Sequence, residues 1–88
     1  MQEELREKVL FRDSYRCQLC GINNTLDVHH IKPKGAGGGD SFKNLIVLCR
    51  SCHTNYGHNK THRAKFKKIV RQNIKFMNES QFFGNEEG

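Results

Sequence analysis

Two Cys-x-x-Cys pairs, Cys17–Cys20 and Cys49–Cys52, set the tightest limit on how this chain can fold. Two intervening residues let a tight turn bring both sulfurs of a pair onto one ion, and two such pairs complete a tetrahedral four-thiolate site that is closed and structural. The chain needs a staple of that kind. It has 88 residues, 35% of them apolar and none Trp, and so small a core seldom holds a fold by itself. Disulfides are the competing use of the thiols. The stretch Gln2-Glu3-Glu4-Leu5-Arg6-Glu7-Lys8 is a charged helical start rather than a signal peptide, and no run approaches membrane-spanning length. A reducing cytoplasm is therefore the expected setting, and there paired knuckles favour zinc.

The spacing excludes several uses of these motifs. Residues 21–48 between the knuckles exceed the zinc-ribbon interval of about 15–20 residues, which leaves room for an inserted strand–loop–strand. A finger with two cysteines and two histidines needs a histidine after about twelve residues beyond its second cysteine. That place falls at Pro33 or Lys65. The run Gly35-Ala36-Gly37-Gly38-Gly39 lacks the Gly-Lys-Ser/Thr ending of a phosphate-binding loop and the last Gly of a dinucleotide fingerprint. Reach and flexibility are its expected contribution.

Periodicity supplies the remaining elements. Leu5, Val9 and Leu10 predict a helix over residues 2–11, and Asp13-Ser14 a break before the first knuckle. Gly21-Ile22-Asn23-Asn24 reads as a turn. Alternation over residues 26–31 predicts a strand, residues 32–43 a loop, and Leu45-Ile46-Val47-Leu48 a second, buried strand. A short helix then starts at the second knuckle. A longer one follows over residues 61–77, with Phe66, Ile69, Val70, Ile74 and Met77 on one packing face. Residues 79–88 read as a frayed, mildly acidic tail from which Phe82 and Phe83 are candidates to pack back. The expectation is one domain over residues 1–88, with a core of about 12–60.

Net charge is +6 with a pI near 9.4, which points to a polyanionic partner. Arg63, Lys65, Lys67, Lys68, Arg71 and Lys75 crowd the C-terminal third. A solvated helix face explains them equally well, so charge alone does not decide. The histidines decide more. Hydrolysing a phosphodiester requires a group to deprotonate water, and neutral imidazole titrates in the useful range. It also requires a divalent cation to offset charge on the phosphate and on the departing oxygen. His29 and His30 are adjacent, and in a regular strand they face opposite sides. One is then free to bind metal while the other addresses water. His53 follows Cys52, so a metal-fixed Cys52 pins the backbone of a second ligand.

His29-His30-Ile31-x-Pro33, Gly37-Gly38-x-Asp40, Asn44-Leu45 and Leu48-Cys49-x-x-Cys52-His53 together resemble the HNH endonucleases of the ββα-metal (His-Me finger) superfamily. The resemblance runs from about Arg12 to His58. It implies an α+β fold, a small zinc-stapled ββα-metal domain with flanking helices. It also implies that His30 is the general base, that His29 and His53 are ligands of the catalytic metal, and that Asn44 braces the loop carrying the base. Asn44 is suited to that role because an amide offers both donors and an acceptor. His58, one residue past the place where some relatives carry a third ligand, is a candidate for it. His62 reads as a solvent-facing residue.

The activity so implied is metal-dependent DNA hydrolysis leaving 5′-phosphate and 3′-hydroxyl ends. Its cofactors are a structural Zn2+ and a catalytic Mg2+, Mn2+, Ni2+ or Zn2+. Lys32, Lys34, Arg50, Lys67, Lys68 and Arg71 are the candidates for backbone-phosphate contacts, which position an enzyme without reading sequence. So small a chain has little surface for base recognition, and a protein partner is the candidate source of targeting. The alternative is a non-catalytic zinc module that binds nucleic acid, and it leaves His29, His30, Asn44 and His53 unexplained together.

Overall fold

A computed structural model of the chain describes residues 2–79. The elements run α1 (Glu3–Arg12), β1 (Leu26–His30), β2 (Leu45–Cys49), α2 (Arg50–Tyr56) and α3 (Lys60–Glu79), with single 3₁₀ turns at Lys34–Ala36 and Phe42–Asn44. The architecture is α+β, with three helices among the described residues around a two-stranded antiparallel sheet. The expected packing of Phe82 and Phe83 lies outside the described residues.

β2 is the centre of the molecule. All five of its residues are buried, and their side chains alternate between two cores. Ile46 and Leu48 join Cys17, Ile31, Cys49, Cys52, Phe66 and Val70 on one side, while Leu45 and Val47 join Val9 and Leu10 on the other. β1 pairs with it in the register Leu26↔Cys49 to His30↔Leu45. β1 ends one residue earlier than its apolar pattern suggests. Ile31 leaves the strand but donates its N–H to the Asn44 carbonyl at 2.8 Å. α3 buries Phe66, Val70 and Met77 and half-buries Ile69 and Ile74, while Lys65, Lys67, Lys68, Arg71 and Lys75 stay exposed.

The glycine-rich segment departs from its expected part as a flexible reach element. It folds back on itself, with the Gly38 N–H donating to the Pro33 carbonyl at 2.9 Å. A Cβ on Gly38 would lie 1.8 Å from the Lys32 carbonyl oxygen. Only glycine permits that approach. Gly37, at φ +93°, occupies the left-handed region.

The break after α1 conceals the main polar anchor. Arg12 and Asp13 are 5% and 1% exposed. The Arg12 guanidinium donates to both Asp13 carboxylate oxygens at 2.7 and 2.9 Å, and to the carbonyls of Phe42 and Leu45 at 2.6 Å each. Asp13 also accepts from the Val47 N–H at 3.0 Å and from the Asn73 amide at 2.8 Å. One carboxylate thus ties α1, β2 and α3 together. Ser14 and Tyr15 follow at φ 62° and 53°. That is a strained pair for residues with a Cβ, and the anchor beside it holds the chain there.

Removing one partner of a buried pair leaves the other charge uncompensated, so Asp13→Ala should lower unfolding free energy by about 3–5 kcal/mol. Urea denaturation of the metal-loaded protein measures this. A loss below about 1 kcal/mol, the scale of an exposed pair, would show that the anchor is dispensable.

Candidate active site and metal centre

The four cysteine sulfurs lie within 4.8 Å of one another. Cys20 Sγ and Cys49 Sγ are 3.7 Å apart, against about 3.8 Å for the edge of a tetrahedron built on 2.3 Å Zn–S bonds. A disulfide would need about 2.0 Å, and all four thiols are free. Backbone N–H groups of Leu19 and Cys20 point at Cys17 Sγ, and that of Cys52 at Cys49 Sγ, each at 3.4 Å. Such donors favour thiolate. Burial pulls the Cys17 thiol up, but these amides outweigh it and bring it down to about 6. Burial and the neighbouring thiols push Cys52 far up. Four sulfur donors gathered in this volume suit a cation, whose binding would deprotonate them, and the donor set fits a structural zinc. Because Cys49 is the N-cap of α2, the cluster also fixes where that helix begins and where His53 stands.

A cleft of about 270 Å³ lies alongside, lined by Val28, His29, His30, Pro33, Lys34, His53 and His58. His29 points to the buried face of β1, opposite Ile46, and is 4% exposed. Its ring centroid is 4.8 Å from that of His53, and 5.9 Å from those of His58 and Phe66. Burial first, then the proximity of His53 and His58, lowers the His29 pKa to about 4, so its imidazole is neutral. Its Nε2 is buried with no hydrogen-bond partner. An orphaned ring nitrogen on an imidazole beside two others is chemistry that suits a divalent cation. Among the described residues, the four cysteines are the donor set gathered within 4.8 Å, and the histidine nitrogens are not gathered so closely. His62 lies outside this cleft; its ring packs 4.9 Å from Tyr56, and its Nδ1 is also buried without a partner.

His30 is at the strand end, opposite Leu45. Its Nε2 meets Asp40 Oδ1 at 2.6 Å, and Lys34 Nζ lies 3.8 Å from the same oxygen. The His30 hydrogen bond, with a smaller pull from Lys34, holds the Asp40 carboxyl below its usual range. A carboxylate only accepts, so in the neutral ring Nε2 carries the proton and Nδ1 keeps a lone pair. Asn44 sits behind this loop. Its Oδ1 accepts from the Lys32 N–H at 2.9 Å, and its Nδ2 donates to the carbonyls of Lys32 and Gly39 at 3.1 and 3.0 Å.

Two contributors escape a reading of motifs. Asp27 accepts from His53 Nδ1 at 3.1 Å and from Arg50 at 3.4 Å. The signal was available in the strand period, since Asp27 stands two residues before His29 and shares its face. Gly57 is the other. A Cβ there would meet the His53 carbonyl oxygen at 2.5 Å, His53 Cδ2 at 2.9 Å and His29 Cε1 at 3.2 Å, so its absence lets the two imidazoles sit together. Of the phosphate-contact candidates, Lys32 and Lys34 flank the cleft loop. Arg50 is exposed but engaged with Asp27, and Lys67, Lys68 and Arg71 form a separate set on α3.

The HNH endonuclease family profile matches residues 17–59. An anaredoxin of Nostoc sp. is 40% identical over 45 residues, covering 50% of this chain and 59% of that protein. The Type IV methyl-directed restriction enzyme EcoKMcrA of Escherichia coli is 34% identical over 53 residues, covering 50% of this chain and 19% of the enzyme. Among solved structures, the Type IV phosphorothioation-dependent restriction endonuclease ScoMcrA superposes with a TM-score of 0.65 at 28% identity, covering 83% of this chain and 17% of the other. The chain thus spans about three-fifths of the first relative and under a fifth of the two restriction enzymes.

Stripping the metal from the four thiols with a strong chelator should abolish the cooperative thermal unfolding transition, since binding energy at such a site is folding energy. A sharp transition in metal-free protein would contradict the structural assignment. Gly57 has helical φ −57° and ψ −37°, so Gly57→Ala introduces no backbone strain. It should nevertheless destabilise by about 1–3 kcal/mol through overpacking. Gly35→Ala, with nothing within 4 Å of its added Cβ, should be silent in the same urea titration.

Proposed function

We propose, from the premise that residues 17–59 make this chain a member of the HNH endonuclease family with a zinc site, that it is a metal-dependent nuclease hydrolysing DNA phosphodiester bonds in the histidine cleft. Family membership and the two restriction-endonuclease relatives support a nuclease or nucleic-acid-binding function and imply DNA as the partner. The observation that carries the catalytic reading is the division of labour at His29-His30. One imidazole is buried, neutral and orphaned at Nε2; the next is capped at Nε2 by a carboxylate.

In this reading His30 is the general base. Its Nδ1 takes the proton of the attacking water while Nε2–H remains on Asp40, whose charge offsets the imidazolium that forms. Asn44 holds the backbone of Lys32 and Gly39, so the loop bearing Asp40 stays in register with the base. His29 and His53, with His58 as third donor, would hold a divalent cation. When bound, that ion supplies charge compensation at the scissile phosphate and the leaving oxygen. Mg2+, Mn2+, Ni2+ and Zn2+ are the candidate ions, and imidazole donors favour Ni2+ and Zn2+ over Mg2+. Lys32 and Lys34 at the cleft, Arg50 beside it, and Lys67, Lys68 and Arg71 on α3 contact phosphates and set the strand's register. The whole of residues 1–88 acts as one nuclease domain with its core at about 12–60, in a reducing cytoplasm that keeps the thiols as ligands. A partner protein supplies the targeting that so little surface cannot.

His30→Ala should reduce divalent-metal-dependent nicking of supercoiled plasmid by about 10²–10⁴-fold, the range for loss of a general base, with zinc content and unfolding midpoint unchanged. Full activity in that variant would remove the mechanism. A wild-type protein that binds DNA yet cleaves with none of the four ions would instead be the non-catalytic zinc module.

A further inference from the structure

Asp27 is the one acidic side chain on the buried-facing side of β1 beside His29, and it contacts a residue that no motif connects it to. Its Oδ2 lies 3.1 Å from His53 Nδ1, while Arg50 approaches its two oxygens at 3.4 Å. The Asp27 side chain is 24% exposed and that of Arg50 73%. The imidazole, 33% exposed, is the nearer and more buried partner, and the guanidinium the more distant and exposed one.

Resting on the reading that His53 is a ligand of the catalytic ion, we infer that Asp27 is a positioning residue that selects the metal-ready tautomer of His53. A carboxylate accepts hydrogen bonds and donates none, so the proton of the neutral ring is held at Nδ1. That leaves the lone pair on Nε2, in a ring that lines the same cleft as His29 and His58. Metal-binding histidines generally give their second nitrogen to such an acceptor, which fixes ring orientation and raises basicity at the ligating nitrogen. The strand pairing explains why the contact is available. Asp27 faces Leu48 across the sheet, and the chain turns from β2 into α2 immediately beyond, bringing His53 back over the start of β1.

A merely structural contact at this exposure would contribute little and would leave metal affinity unchanged. The two roles separate by long-range 1H–15N NMR of the imidazoles at pH 8, in protein holding its structural zinc but no other ion. Wild type should show His53 protonated at Nδ1. Asp27→Leu should shift it to the Nε2–H form, and Asp27→Asn, which offers the ring both a donor and an acceptor, should give a mixture. Mn2+ titration followed by EPR should show the dissociation constant raised about 10–100-fold in Asp27→Leu, with recovery in Asp27→Glu and unchanged zinc content throughout. An Nε2–H tautomer in wild type, or Mn2+ affinity indifferent to Asp27→Leu, would overturn the assignment. An Nδ1–H tautomer that follows Asp27 in a protein that binds no Mn2+ would uphold the contact and remove the metal-dependent reading instead.

Discussion

The buried Arg12–Asp13 pair is the contact on which the rest of the molecule is aligned. A buried ion pair is not in itself a strong source of stability, because desolvation offsets most of its attraction. Its effect here is geometric. Asp13 takes an N–H from the middle of β2 and an amide from α3, while Arg12 takes the carbonyls of Phe42 and Leu45 just before and at the start of β2. Apolar contact alone would allow β2 to slide, since Leu45, Ile46, Val47 and Leu48 are nearly interchangeable in a core. A one-residue slip would exchange the faces of the whole strand. It would carry the paired His29 and His30 with it, so the polar anchor and the chemistry of the cleft are linked through one register.

The thiol cluster performs the corresponding task at the other end of β2. Cys49 closes the strand and caps α2, Cys52 lies within its first turn, and His53 comes next. The strand is thus fixed at its start by a guanidinium and at its end by four sulfurs. His29 and His53 are brought to 4.8 Å by two rigid elements whose relative position neither histidine determines. Gly57 completes the arrangement by leaving empty the space that any side chain would take from them.

Much of this was legible in the residues because it is periodic or local. The knuckles, the two strands, the apolar face of α3 and the residue types of the cleft all follow from spacing within a few positions. Contacts of long sequence separation were not legible. Asp13 reads as a helix break, and its partners Val47 and Asn73 lie 34 and 60 positions away. The glycine-rich segment reads as a tether because composition records freedom, not closure. What compacts it is Asn44 reaching back to Lys32 and Gly39, together with the collision that any Cβ at Gly38 would suffer against the Lys32 carbonyl. Asp27 was hidden for a different reason. The strand period places it on the face of His29, but its partner His53 is known only once the chain's return brings that imidazole over it.

Asp27 and Asp40 also show how two chemically identical side chains are given unlike properties. Each carboxylate takes one ring nitrogen of one histidine, and it takes the opposite nitrogen in the two cases: Nδ1 of His53 and Nε2 of His30. Since the acceptor decides which nitrogen keeps the proton of a neutral ring, a neutral His53 has its free lone pair at Nε2 and a neutral His30 at Nδ1. Nε2 is the nitrogen far from the backbone, with the longer reach into a cleft; Nδ1 is the near one, held close to the main chain that Asn44 restrains. His29 needs no carboxylate, because burial, aided by the neighbouring His53 and His58, keeps it neutral. Desolvation thus acts on one imidazole of the cleft and an acid facing a particular nitrogen acts on two others, and neither influence requires the ring itself to change.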